Sequence, residues 1–207
     1  MTDVLVVAEL LEGKARKSTL SAITAARQIT GATGGAFDIL AIGEGAASAA
    51  GELAGFGARK VLKAEIAGGY VCEKYAPTVA AVGKGYGVVV ACASAYGKDL
   101  LPRVAAKLDA GIASDISGIT AEGGKLVYKR PMFAGNAFGY CVLTSAVQLR
   151  RRVTGAVDAQ HGGGHARHPL LPEQMLAHQL QVDGHRVERI PEVVAQNADE
   201  LIPVSIG

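Results

Sequence analysis

Apolar residues along the first hundred or so positions come in short blocks, separated by stretches with helical spacing. Residues 4–10 are apolar and rich in β-branched side chains, the pattern of a buried strand. Ser18 is placed as N-cap of a helix over 19–29, where Leu20, Ile23 and Ala26 or Arg27 recur on one face and Gly31 lies just beyond the end. Residues 37–42 read as a second apolar strand, 46–54 as an Ala-rich helix closed by Gly55-Phe56-Gly57, and 60–63 as a short third strand. The rhythm continues with a helix near 75–82, a strand over 87–91 built on Val88-Val89-Val90, and a helix from about 100 to 108. Short apolar strands alternating with helices require crossover connections, so the predicted class is α/β, a mainly parallel sheet with helices on both faces.

Beyond Asp109 the rhythm changes. Residues 111–121 and 125–130 flank Glu122-Gly123-Gly124, which reads as a hairpin turn and predicts a small antiparallel extension. Residues 137–149 are another strand candidate, with a bend at Gly139. From Arg150 the composition shifts to Arg, His, Gln and Gly, and a linker is expected there, with a short helix over 172–180. The chain is thus divided into an α/β domain over 1–149 and a divergent linker and tail over 150–207. No internal repeat is present.

Composition narrows the classes. The 207 residues suit one compact domain with an appendage, and the 49% hydrophobic content comes from aliphatic residues, with 27 glycines to allow close helix–sheet packing. A net charge of +2 gives no electrostatic case for nucleic acid or an anionic membrane. Cys72, Cys92 and Cys141 are widely spaced and odd in number, which excludes a disulfide framework and CxxC chemistry and fits a reducing compartment. The strand-like run begins at once after Met1, no apolar run reaches the ~18 residues of a spanning helix, and a soluble intracellular protein without membrane insertion is expected.

In an open α/β sheet, ligands sit beyond the carboxyl ends of the strands, at helix N-termini with free amides. The loop over 9–18 carries neither G-x-G-x-x-G nor a Walker sequence. The loop over 91–99 is the stronger candidate: Ser94 and Gly97 are small enough for a phosphate or a partner backbone to approach, and Lys98 and Arg103 could add positive charge. The same residues also read as plain structure, with Gly97 turning the chain, Asp99 capping the helix and Lys98 exposed. Cys92 reads either as a nucleophile or as a small buried residue. His161, His165 and His168 have the spacing of zinc ligands on a helix, but Gly162-Gly163-Gly164 and Pro169 oppose that helix, so no metal site is expected. No Ser/His/Asp order or carboxylate pair stands out, and no catalytic constellation is assigned.

Several runs are more specific than periodicity. Val4-Leu5-Val6-Val7-Ala8-Glu9, the run over 19–27, Gly57-Ala58-Arg59-Lys60-Val61-Leu62, and above all the run from Tyr96-Gly97-Lys98-Asp99 through Pro102-Arg103 to Asp109, then Ser114-Asp115-Ile116 and Met132-Phe133-Ala134-Gly135-Asn136-Ala137, resemble the amino-terminal domain of electron-transfer flavoprotein alpha subunits. The resemblance covers residues 1 to about 148. It implies an electron-carrier subunit that docks a beta-type subunit as a heterodimer and serves acyl-CoA or other dehydrogenases, in the cytoplasm or, in a eukaryote, the mitochondrial matrix. It further implies that FAD belongs mainly to the carboxy-terminal domain of the alpha subunit. The beta subunit binds AMP in its own version of the fold, through a loop rich in Asp, Gln and Thr; the alpha-type GKDLLPRVA stands here instead, so AMP is not expected. Past residue 149 the family's PELTEA-like, SGG(R)G-like and GxSGAIQH-like segments are not found, so flavin binding by this chain alone is not expected either. Two other readings stay open: a stand-alone adenine-nucleotide-binding module, and a degenerate fragment that self-associates.

Overall fold

In a computed structural model, residues 1–152 and the two-residue strand Val187–Glu188 are described. Six strands form one sheet: β1 (Val4–Ala8), β4 (Phe37–Ile42), β5 (Val61–Ala64), β6 (Val88–Cys92), β7 (Gly111–Ile116) and β11 (Gln148–Arg152), in the spatial order β5-β4-β1-β6-β11-β7. Every neighbouring pair is parallel. The short β2 (Leu10–Leu11) and β3 (Lys14–Ala15) pair antiparallel just after β1. A second sheet, β12-β10-β9-β8, is antiparallel and comprises β8 (Gly118–Glu122), β9 (Lys125–Met132), β10 (Ala137–Leu143) and β12 (Val187–Glu188).

Side chains alternate across each strand, so one strand feeds two cores. Val4, Val6 and Ala8 of β1 join α1 (Ser18–Thr33) and α2 (Ala46–Leu53) through Ile23, Ala26, Ala49 and Leu53, and this core extends to Leu126, Tyr128 and Leu143 of the antiparallel sheet. Leu5 and Val7 face α3 (Cys72–Gly83) and α4 (Ala95–Leu108) through Tyr75, Val79, Leu100, Leu101 and Val104. Strands buried on both faces are the reason they read as continuous apolar runs. The predicted α/β class with an antiparallel extension is what is observed.

The boundaries depart from expectation where side chains override periodicity. Ser18 is the first residue of α1, not its cap: its hydroxyl donates to Glu9 Oε2 at 2.9 Å. The helix runs through Gly31 and stops at Gly34, whose φ of 74° is left-handed and whose N–H donates to the Thr30 carbonyl. Helix α4 starts at Ala95 rather than near 100 because Ser94, not Asp99, is the cap; its hydroxyl accepts from Gly97 N–H at 3.4 Å. Replacing Ser94 by Ala should cost about 0.5–1 kcal/mol, the low end of cap effects because the bond is long, measurable as a lower urea midpoint at unchanged slope.

The stretch over 111–121 splits. Its first half is β7 of the parallel sheet, and Asp115 with φ 54° redirects the chain into β8. Gly123 and Gly124, both at positive φ, close the β8–β9 hairpin as predicted. The stretch over 137–149 is likewise two strands, β10 and β11, in different sheets, and no single strand bent at Gly139 forms. Arg150 to Arg152, read as the opening of a linker, continue β11 between β6 and β7, since a slot flanked by two strands recruits backbone regardless of composition. No helix among the described residues is long and apolar enough to cross a membrane.

Candidate functional site: a cleft at the carboxyl edge of the sheet

The chain leaves β1 toward β4 on one side, and β6 lies on the other, so the order reverses at the β1/β6 boundary. Beyond the carboxyl ends of these strands, where doubly wound sheets place ligands, lies a cleft of about 890 Å³. Its walls come from the β1–α1 loop (Glu9 to Gly13, Arg16), the β4–α2 loop (Gly43 to Gly45), the segment entering α3 (Gly68 to Tyr70) and the start of α4 (Ala95, Tyr96, Asp99).

Three tyrosines converge here from 70, 75 and 96. Their ring centroids stand 5.0 Å (Tyr70–Tyr75), 4.7 Å (Tyr70–Tyr96) and 6.4 Å (Tyr75–Tyr96) apart, all edge to face. The Tyr70 hydroxyl donates to Asp99 Oδ2 at 2.7 Å. Burial raises the pKa of all three phenols, helped by Asp99 at Tyr70 and by Glu44 at Tyr75. Gly43, at φ 121°, leaves room for the Tyr75 hydroxyl, which a Cβ would strike.

The features that would attract an anion to this edge are met by the chain's own carboxylates. At the start of α1, Glu9 accepts from Arg16 Nη1 and Ser18 Oγ, each at 2.9 Å. At the start of α2, Glu65 accepts from the Gly45 and Ala47 amides at 3.2 and 2.7 Å, where a phosphate would otherwise dock. Lys98 pairs with Asp115 at 3.9 Å, and Arg103 pairs with Glu73 of α3. That partner holds Glu73 below the ordinary carboxylate range, after its own backbone amide, and raises Arg103.

The sequence-expected site residues are therefore placed as follows. Ser94 caps α4, and Gly97 lies where a Cβ would collide with the Cys92 carbonyl oxygen, inside the 3.0 Å that real Cβ atoms respect. Lys98 and Arg103 diverge to Asp115 and Glu73 rather than meeting at the loop. Cys92 is buried at 3% exposure, the structural alternative for that residue. His161, His165 and His168 lie outside the described residues; among those described, no cluster of metal-ligating side chains occurs.

Sequence reasoning passed over the tyrosine cluster and a second feature at the opposite edge. Asp38 in β4, fully buried, accepts from Arg59 Nε at 3.1 Å and Nη2 at 2.7 Å, and from the Tyr86 hydroxyl at 2.6 Å. Arg59 also donates to Asp3 at 2.9 Å. Burial alone would raise the Asp38 pKa, but the Arg59 and Tyr86 hydrogen bonds outweigh it and hold it low, while Tyr86, buried beside that carboxylate, is pushed up to about 12.

Comparison with known proteins adds four findings. The family model described as the electron transfer flavoprotein domain matches residues 4–178. An electron transfer flavoprotein subunit alpha of Bacillus subtilis (strain 168) is 37% identical over 145 residues, 68% of this chain and 44% of the relative. One of Pseudomonas aeruginosa is 36% identical over 165 residues, 77% of this chain and 51% of the relative. A mitochondrial electron transfer flavoprotein subunit alpha of Oryza sativa subsp. indica is 43% identical over a shorter 53 residues, 26% of this chain and 14% of the relative. The chain spans about half the length of the first two relatives.

Proposed function

This chain belongs to the electron transfer flavoprotein family and is alpha-subunit-like in its amino-terminal portion, and from that premise we propose that it supplies the scaffold and docking domain for a beta-type subunit. In the resulting heterodimer, FAD would relay electrons from acyl-CoA or other dehydrogenases toward the respiratory chain, in the cytoplasm or the mitochondrial matrix. The role of this chain is that of a carrier subunit, not a catalyst.

The observation that carries this reading is the alpha-type run over 96–109. It forms nearly all of α4, a helix packed on the sheet through Leu100, Leu101 and Val104, with Lys98 and Arg103 engaged by carboxylates of the same chain. A helix so committed suits a scaffold better than a phosphate cradle. Glu9 and Glu65 already sit at the starts of α1 and α2, which speaks against a phosphate at those two helix ends. The reading therefore assigns FAD to another part of the assembly and assigns no AMP to the loop around Ser94 and Gly97.

The test is mixing the purified chain with a beta-type subunit of the same family and following size-exclusion chromatography with light scattering. A heterodimer is expected at micromolar concentration, and two separate peaks would remove the docking role. Calorimetric titration with AMP is expected to give no binding heat at millimolar ligand. Saturable heat would favour an adenine-nucleotide module instead.

A further inference from the structure

The tyrosine cluster has a property that neither packing nor subunit docking uses. The chain contains no tryptophan, so tyrosine is its most easily oxidised aromatic side chain. A phenol gives up an electron readily only when its proton has a base to go to, and the three rings differ in that respect. The Tyr70 hydroxyl donates to Asp99 Oδ2 at 2.7 Å, and Asp99 is exposed and in no ion pair among the described residues, so its carboxylate can take the proton and pass it to water. The Tyr96 hydroxyl is closed to solvent and has no hydrogen-bond partner among the described residues. Tyr75, 4% exposed, donates to no carboxylate among them. Tyr70 is also the hub: its centroid lies 5.0 and 4.7 Å from the other two rings, which are 6.4 Å from each other. Tyr86 donates to a carboxylate as well, but Arg59 already holds Asp38 by two hydrogen bonds, which makes it a poor proton acceptor.

We propose that Tyr70 is a redox-active tyrosine: an electron vacancy created on any ring of the cluster comes to rest there as a neutral tyrosyl radical, with the phenolic proton on Asp99. The step balances. One electron leaves the Tyr70 ring for an outer-sphere one-electron oxidant, the phenolic O–H bond breaks, and the proton joins the Asp99 carboxylate to give the carboxylic acid. Rings in contact exchange the electron directly, so Tyr75 and Tyr96 take part without being open to water. The vacancy does not pass on to sulfur, because the Cys72 thiol donates to the Asp99 backbone oxygen at 3.6 Å, and a neutral carbonyl is no base. Tyr70, 38% exposed, then recovers its electron and proton as a hydrogen atom from a soluble reductant of the ascorbate class. The cluster thus drains oxidising equivalents to water at one point, and it forms within this chain alone, independent of subunit docking.

The test oxidises the full chain with photogenerated tris(bipyridine)ruthenium(III), using a cobalt(III) pentaammine complex as the electron acceptor. Transient absorption follows the neutral tyrosyl radical, and the spin trap 2-methyl-2-nitrosopropane with peptide mass spectrometry locates it. In the parent chain the trap adduct is expected on Tyr70. Asp99→Asn leaves the ring as exposed as before and keeps an acceptor oxygen but removes the base. It should slow radical formation about tenfold, less than a positioned base usually contributes because water also reaches Tyr70. Tyr70→Phe should lose the adduct from the cluster without moving it to Tyr75 or Tyr96. An adduct on Cys72, Tyr75 or Tyr96 of the parent chain would overturn the proposal, and that result needs no variant to fold. So would radical formation in Asp99→Asn as fast as in the parent with far-UV circular dichroism intact, since exposure alone would then decide where the radical sits.

Discussion

Asp38→Ala is expected to lower unfolding stability by about 3 kcal/mol, read as a fall in the urea midpoint with an unchanged slope. The carboxylate is fully buried in a strand whose six residues are all buried, and it accepts three hydrogen bonds. Its loss strands the Tyr86 hydroxyl, on a residue only 8% exposed, and releases Arg59 toward water and Asp3. Because Arg59 is half exposed and keeps Asp3, the loss sits at the lower end of what breaking a buried pair does. Asp38→Asn, which keeps an acceptor oxygen, should lose roughly half as much.

The same carboxylate sets a pH dependence. Its native pKa lies below the unfolded value of about 3.9. A group shifted in that direction gives its full stabilisation above the unfolded pKa and loses it as pH falls through the native one. The stability difference between the parent chain and Asp38→Ala should therefore be flat from neutral pH down to about 4 and shrink below it. A difference that persists unchanged into strong acid would mean that packing, not the charge, holds this edge together.

The second large effect concerns Gly97. In a helix interior, Gly→Ala normally adds about 0.5–1 kcal/mol of stability. At Gly97 the sign should reverse, with a loss of about 3 kcal/mol, because the new methyl group meets a backbone oxygen of the central strand β6, which has no rotamer to escape into. Gly31 is the internal control: it also lies within a helix, and a Cβ there meets nothing within 4 Å, so Gly31→Ala should stabilise by the usual amount. Thermal unfolding of the two variants side by side decides the matter. A Gly97→Ala protein as stable as its parent would restore the reading of that glycine as a turn or phosphate-loop residue.

Much of the fold was legible because buried parallel strands write themselves as apolar runs; Val88-Val89-Val90 could hardly be anything else. The site was less so, for reasons of distance along the chain. Lys98 and Arg103 look available in sequence because the carboxylates that engage them, Asp115 and Glu73, belong to other elements. Tyr70, Tyr75 and Tyr96 share no period, and only the pairing of α3 with α4 on one face of the sheet brings them together. Asp38 did leave a signal: an acid inside an otherwise apolar strand, with Arg59-Lys60 just before the next strand, is a charge that must find a partner when buried. The end of the strand at Arg152 could not be found from composition, since three consecutive arginines argue for solvent while the vacancy between β6 and β7 argues for backbone.

That vacancy has a consequence for how the molecule comes into being. The ribosome releases β6 and β7 well before β11, yet β11 is the strand that joins them. Until residues 148–152 emerge, the nascent sheet is a four-stranded piece with an open flank, and β7 has no neighbour in it. Two raw edges must stay unpaired through the synthesis of the whole antiparallel hairpin region, a window in which self-association competes with closure. The last strand in is a keystone, and the time the chain waits for it is set by translation speed.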